Sequence, residues 1–166
     1  GNLWGENGKV ASSAAGNDGG YFYHKEYIKM VERAQTKHLP DPYDKTPIEQ
    51  GINVYYTNLI YGDIDFAVIE DRKFKSGPKG KIPQQGPRPD HIRNNNYDPK
   101  SIDLDGLSLL GERQHKFLKK WGENKEKSVM KAVLSQTGFC GGAHLHGNKE
   151  NRLHADLDSN GWPQSG

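Results

Sequence analysis

A chain of 166 residues is long enough for one domain with a modest core. Only 33% of the residues are hydrophobic and the mean hydropathy is -0.93, which predicts a small core among long loops, or a core completed by polypeptide outside this chain. The net charge of +2 is too balanced to favour nucleic acid or an anionic membrane as a partner.

The cysteine content, the hydropathy and the start of the chain further limit the classes of protein to which this chain can belong. The single cysteine, Cys140, excludes an internal disulfide and a zinc site built on cysteines. No segment is both apolar and long enough to span a membrane. The chain opens neither with Met nor with a secretory leader, so we expect the natural start to lie upstream.

The first half of the chain predicts one helix and a hairpin. Residues 1–20 are rich in Gly, Asn and Ser and favour a loop. Apolar residues at helical spacing predict a helix over residues 26–35, which Pro40 and Pro42 terminate. Residues 54–61 and 64–69 favour strands, and the Gly62-Asp63 turn between them indicates a hairpin.

The second strand of this hairpin has apolar residues on both faces. Ile64, Phe66 and Val68 point one way, and Ala67 and Ile69 point the other. Such a pattern is typical of an internal strand covered on both sides of the sheet. We therefore expect a layered domain.

The second half predicts a crossover between two long loops. Residues 76–101 are polar and proline-rich, and we expect an excursion over the surface. A helix over 110–121 and a strand over 128–136 follow, and residues 137–166 favour a Gly- and His-rich loop. The order indicates an α/β fold with about three strands and two main helices.

Four segments together resemble the alkaline phosphatase D (PhoD-like) metallophosphatases. IDFAVIEDRKFKS (64–76) is similar to that family's strand ending in Asp-x-Arg, with Glu70 in place of the usual Asp. LLGERQHKFLKKW (109–121) resembles its Leu-Gly-x-x-Gln helix through Gly111 and Gln114. VMKAVLSQTGF (129–139) and ADLDSNGWPQSG (155–166) are similar to its Ser-Gln-Thr loop and its Asp-rich Gly-Trp-Pro segment.

The resemblance implies a fold, a chemistry and a location. Residues 1–166 would form an internal part of a layered α-β-β-α metallophosphatase core. The whole protein would hydrolyse phosphate esters outside the cytoplasm with calcium, iron or zinc ions, and its partners would be the substrate and the remainder of the parent chain. Because most metal ligands of such a site come from separate loops, we expect this chain alone to be inactive.

Three residues are candidates for substrate contact or catalysis. Arg72 at a strand end suits bidentate phosphate binding, although an ion pair with a neighbouring acid explains it equally well. Gln136 lies where a predicted strand ends and a loop begins. It could orient a water or a ligand there, or stabilise the loop. Asn2 resembles an Asn near the family's metal motif, which would make it a substrate contact, and a polar loop residue is the alternative.

Candidate metal ligands lie near the C-terminus. His144 and His146 form a His-x-His pair, which on an extended chain puts both rings on one face. Asp156 and Asp158 begin a pattern like the first half of a calcium loop, which the Asp-rich turn of the phosphatase family explains better.

Alternatives stay open for the basic run of residues 71–75 and for the function of the whole chain. The basic run of residues 71–75, followed by Lys79 and Lys81, is typical of a solvated loop, with a phosphate-facing role as the alternative. The chain is either a phosphatase piece or a non-catalytic binding or structural module, and a family member that has lost catalysis is a third reading.

Overall fold

The computed structural model describes residues 5–14, 17–87, 91–94, 96, 98–102, 104–125, 128–136, 154–158 and 162–163. Its two α-helices are α1 (Lys25–Thr36) and α2 (Gly111–Glu123). Both lie within two residues of the bounds predicted from apolar spacing. Neither helix, nor any other in the described ranges, has the length and apolarity to cross a bilayer.

Six strands form two sheets: β1 (Thr57–Tyr61), β2 (Ile64–Val68), β3 (His91–Arg93), β4 (Met130–Leu134), β5 (His154–Asp158) and β6 (Trp162–Pro163). In the first sheet β1 pairs antiparallel with β2, and β4 pairs parallel with β2 on its other side. The second sheet has the order β3-β5-β6, with antiparallel pairs throughout. The predicted α/β class, the hairpin and the β2-α2-β4 crossover are confirmed.

Three sequence-based predictions are wrong in detail. The first strand begins at Thr57, three residues later than predicted, since the chain before it packs as irregular structure against the core. The predicted excursion over residues 76–101 contains β3 and starts as buried chain. The predicted loop over 137–166 contains β5 and β6, because main-chain pairing with β3 outweighs the polar composition.

The core lies between the first sheet and α2. Its buried members come from the segment before β1, from β2, from the chain after β2 and from α2: Val54, Tyr56, Ala67, Phe74 and Phe117. The rings of Tyr56 and Phe117 meet at 5.3 Å between centroids. Helix α2 approaches closely because Gly111 starts it at φ +73° and a Cβ there would lie 2.8 Å from the Phe74 ring.

The opposite face of the first sheet is apolar and open. Strand register places Tyr61, Ile64 and Met130 in one row of this face, and Leu59, Phe66 and Ala132 in the next. Tyr61 is 78% exposed, and Met130 and Leu134 are about half exposed. The expectation that β2 is an internal strand is confirmed, while cover over its outer face is incomplete.

Candidate functional site

The carboxyl ends of β2 and β4 meet at one edge of the first sheet because the two strands are parallel and Val68 lies opposite Leu134. Arg72 follows β2, and Gln136 follows β4. Both line a cavity of about 680 Å³ that opens at this edge. The fold thus brings together two candidate residues that are 64 positions apart in the sequence.

Two hydrogen bonds continue the strand pairing beyond the ends of the strands. The backbone N–H of Ile69 donates to the Leu134 carbonyl at 3.1 Å. The Ser135 hydroxyl then donates to the Asp71 carboxylate at 2.6 Å. These bonds join the segment that follows β2 to the segment that follows β4. They therefore restrain the positions of the neighbouring residues Arg72 and Gln136.

The basic run after β2 is buried. Asp71, Lys73 and Lys75 are each less than a tenth exposed, so the solvated-loop interpretation is wrong for residues 71–75, whereas Lys79 and Lys81 are exposed as it predicts. Lys73 forms an ion pair with Glu32 of α1 and donates to the Asn53 carbonyl at 2.6 Å. A buried ammonium needs such partners, since its desolvation is otherwise costly.

The N-terminal segment lies along this run. Backbone N–H groups of Gly5 and Asn7 donate to the carbonyls of Arg72 and Lys73 at 2.7 and 2.6 Å. A Cβ on Gly5 would sit 2.8 Å from the Lys73 Cα, so this approach needs glycine. The N-terminal segment therefore packs directly against the chain that carries Arg72.

Helix α2 supports the site through one buried amide. Gln114 is fully buried, accepts from the Glu70 N–H at 2.8 Å and donates to the Glu70 carbonyl at 2.7 Å. Its amide thus completes the backbone pairing of the residue two positions before Arg72. The Gln of the Leu-Gly-x-x-Gln pattern has a positioning role that spacing alone did not reveal.

Three titratable groups that line the cavity have raised pKa values, and one of them is Tyr55, whose pKa is raised by burial and next by the charge of Asp41. Burial raises the pKa of Glu70, against the opposing charge of Lys73. Burial, and next the carboxylates of Glu70 and Glu32, raise the pKa of the Tyr21 hydroxyl. Tyr21 therefore stays protonated and able to donate, and Glu70 holds its proton to higher pH than an exposed glutamate.

Sequence reasoning missed the ion pair that ties α1 to the site. Glu32 and Lys73 lie 41 residues apart, and Asn53 lies between them in the chain. Nothing local distinguishes these residues from solvated ones. The one available signal was the density of charge in residues 71–75 directly after a buried strand.

The structure describes the remaining predicted site residues only in part. Asp156 and Asp158 lie in β5, paired with β3, and their side chains are outside the described part. Asn2, His144 and His146 lie outside the described residues. Within the described ranges, no three His, Cys, Asp or Glu side chains come together as metal ligands. The described residues therefore do not fit a metal centre by themselves.

Comparison with family models, with curated proteins and with solved structures finds no match for this chain.

Proposed function

We propose that this chain supplies the phosphate-binding part of a metal-dependent hydrolase that acts on phosphate esters, of the alkaline phosphatase D kind. The observation that carries the proposal is the meeting of Arg72 and Gln136 in one cavity at the carboxyl ends of the parallel strands β2 and β4. Ligands of open α/β sheets bind at this end of the strands. The location that goes with this proposal is outside the cytoplasm.

The resemblance gains support from contacts between its own motif residues. Gln114 of the helix motif pairs with the backbone of Glu70 in the strand motif. Gly111 of the helix motif is in close contact with Phe74 of the strand motif. The strand motif and the helix motif, which are separate in the sequence, thus form one structural unit, and this unit positions Arg72.

The residues of this unit would bind and orient substrate. The Arg72 guanidinium keeps its charge at any working pH and can take two phosphate oxygens at once. Gln136 would orient a bound oxygen through its amide. Metal ions, where bound, would supply charge stabilisation and a more acidic water. Their ligands would come from outside the described residues.

A binding measurement tests the proposal. Calorimetric titration of the full chain with inorganic phosphate should give a dissociation constant on the order of millimolar, as expected for a few charge-assisted hydrogen bonds. Arg72→Met should weaken binding about tenfold or more. Lys119→Met removes the same charge from the exposed face of α2 and should leave binding unchanged. Equal affinities of the two variants would refute the assignment.

A turnover measurement tests the claim that this chain provides only part of the catalytic metal site. Purified chain with added calcium, iron or zinc should hydrolyse a chromogenic phosphate ester no faster than buffer does. Robust hydrolysis that disappears in Arg72→Ala would overturn the claim that this chain provides the site only in part.

A non-catalytic structural module is the second candidate, and the open apolar face of the first sheet favours it. Tyr61 and half-exposed Met130 flank Ile64 in one row of this face, and half-exposed Leu134 lies further along β4. A surface of this kind packs against other polypeptide. Absence of phosphate binding in the titration above would favour this candidate.

A further inference from the structure

The cavity beside Arg72 is much larger than a phosphate group requires. Its volume of about 680 Å³ lies in the range of small-molecule binding sites. One water molecule accounts for about 30 Å³ of liquid volume. A phosphate at the strand ends would therefore leave most of the cavity to the rest of a ligand.

Helix α1 provides one wall of this cavity. Most of its lining residues recur at the spacing of one helix face, and Arg33 lines the cavity beside them: Tyr27, Ile28, Val31, Glu32, Gln35 and Thr36. No residue of α1 is buried, so this face borders the cavity rather than a packed core. The Lys73–Glu32 ion pair ties the middle of the helix to the chain that carries Arg72.

The cavity has an aromatic end. Tyr23 and Tyr27 both line it, each is 51% exposed, and their ring centroids are 5.6 Å apart. Phe22 extends the cluster, with its ring 5.8 Å from that of Tyr23. Exposed rings that contact one another beside a cavity offer faces and edges for a further ring to stack against.

The rest of the lining is mixed in polarity. Val31 and Val54 are apolar, and Gln35 and Asn53 carry amides. A planar ring with hydrogen-bonding atoms on its edge suits such a lining better than a purely aliphatic chain does. Four cationic side chains line the cavity: Lys73 is paired with Glu32, Arg33 and Lys37 belong to the last turn and the C-cap of α1, and Arg72 is the one placed for an anion at the strand ends.

Building on the proposed phosphate role of Arg72, we propose that the cavity binds phosphate esters whose alcohol carries an aromatic or heteroaromatic ring. The phosphate lies at Arg72, and the ring lies against Tyr23 and Tyr27. Aryl phosphates and nucleoside monophosphates share this chemistry.

Calorimetry on the full chain tests the proposal with four probes: inorganic phosphate, glycerol phosphate, phenyl phosphate and adenosine 5′-monophosphate. At least one ring-bearing ester should bind roughly 3- to 10-fold more tightly than glycerol phosphate, the gain expected for one aromatic contact. The ester that gains more, phenyl phosphate or the nucleotide, identifies the source of the ring.

Matched tyrosine variants locate the effect. Tyr27→Leu keeps apolar bulk and a strong helix former at an exposed position, and it should bring the ring-bearing esters to the affinity of glycerol phosphate. Tyr61→Leu makes the same change at a residue that is 78% exposed on the outer sheet face and should preserve the preference. A preference equally lost in both variants, or kept in both, would overturn the assignment.

The outcomes separate this inference from the proposed function. Arg72-dependent binding of all four probes with equal affinity would refute the ring site and leave the phosphate role standing. Absence of binding by every probe, inorganic phosphate included, would refute the phosphate role, and the ring site with it. Phenol and adenosine binding as tightly as their phosphate esters would show that ring and phosphate do not share one site.

Discussion

The Ser135 hydroxyl donates to the Asp71 carboxylate at 2.6 Å and so joins the chain leaving β4 to the chain leaving β2. Each partner is the immediate neighbour of a candidate ligand-binding residue, Gln136 and Arg72. The bond therefore links the positions of two side chains from distant parts of the sequence.

Ser135→Ala should weaken phosphate binding several-fold and lower the free energy of unfolding by about 1 kcal/mol, the net value of one hydrogen bond. Titration calorimetry and urea denaturation measure the two effects. Ser101→Ala removes an exposed hydroxyl that donates to the Asp98 carbonyl and accepts from the Gln85 amide, neither of which lines the cavity, and it should leave phosphate affinity unchanged. Unaltered affinity in Ser135→Ala would mean that the link does not position the site.

Gln114→Met should be strongly destabilising. The substitution keeps the length of the side chain but leaves the backbone N–H and carbonyl of Glu70 without their partners. Unsatisfied buried groups cost about 1–3 kcal/mol each, so we expect a loss of about 2–4 kcal/mol in urea denaturation. Lys119→Met on the exposed face of the same helix should change stability by less than about 0.5 kcal/mol.

Two glycines of α2 should respond in opposite directions to alanine. Gly111→Ala forces a Cβ to within 2.8 Å of Phe74 at φ +73°, and we expect a loss of more than about 1 kcal/mol. Gly122 has nothing within 4 Å, so Gly122→Ala should stabilise by about 0.5–1 kcal/mol. Thermal unfolding of both variants checks the pair, and similar shifts would contradict the close approach of α2.

Glu70 should make stability depend on pH. Burial raises its pKa above the ordinary value of 4.5, so the folded chain holds a proton that the unfolded chain has released. Its contribution is therefore fully present below pH 4.5 and is lost as pH rises through the folded-state pKa. Glu70→Gln should gain stability relative to the natural chain over that interval, measured by urea denaturation from pH 4 to 8.

Glu112 provides the contrasting case. Hydrogen bonding and the charge of Lys116 lower its pKa, so Glu112→Gln should lose stability relative to the natural chain as pH rises. The same sign for both variants would contradict the burial of Glu70.

Patterns within a short window predicted most of the first sheet and both helices. The Gly62-Asp63 turn and the two-sided apolar pattern of β2 sufficed for the hairpin and its central strand. The β3–β5 pair was missed because strands of three and five residues are too short for their polar–apolar alternation to stand out, and the pairing joins positions more than 50 residues apart. Arg72 and Gln136 were each selected as strand-end residues, and the crossover explains why they meet.

The burial of Lys73 and Lys75 was beyond sequence reasoning. A lysine run is solvated unless partners elsewhere in the fold satisfy it, and the partners of Lys73 come from α1 and from the segment before β1. The support from Gln114 was hidden in the same way, since its bonds are to the backbone of a residue 44 positions earlier.

The central claim is that the ends of β2 and β4 form one phosphate-binding edge, and a phosphate titration followed by ¹⁵N–¹H NMR tests it most directly. The account predicts that the largest amide shifts fall together in residues 70–73 and 135–136, with one common dissociation constant, and vanish in Arg72→Met. Shifts confined to one of these segments, or centred elsewhere in the chain, would contradict it.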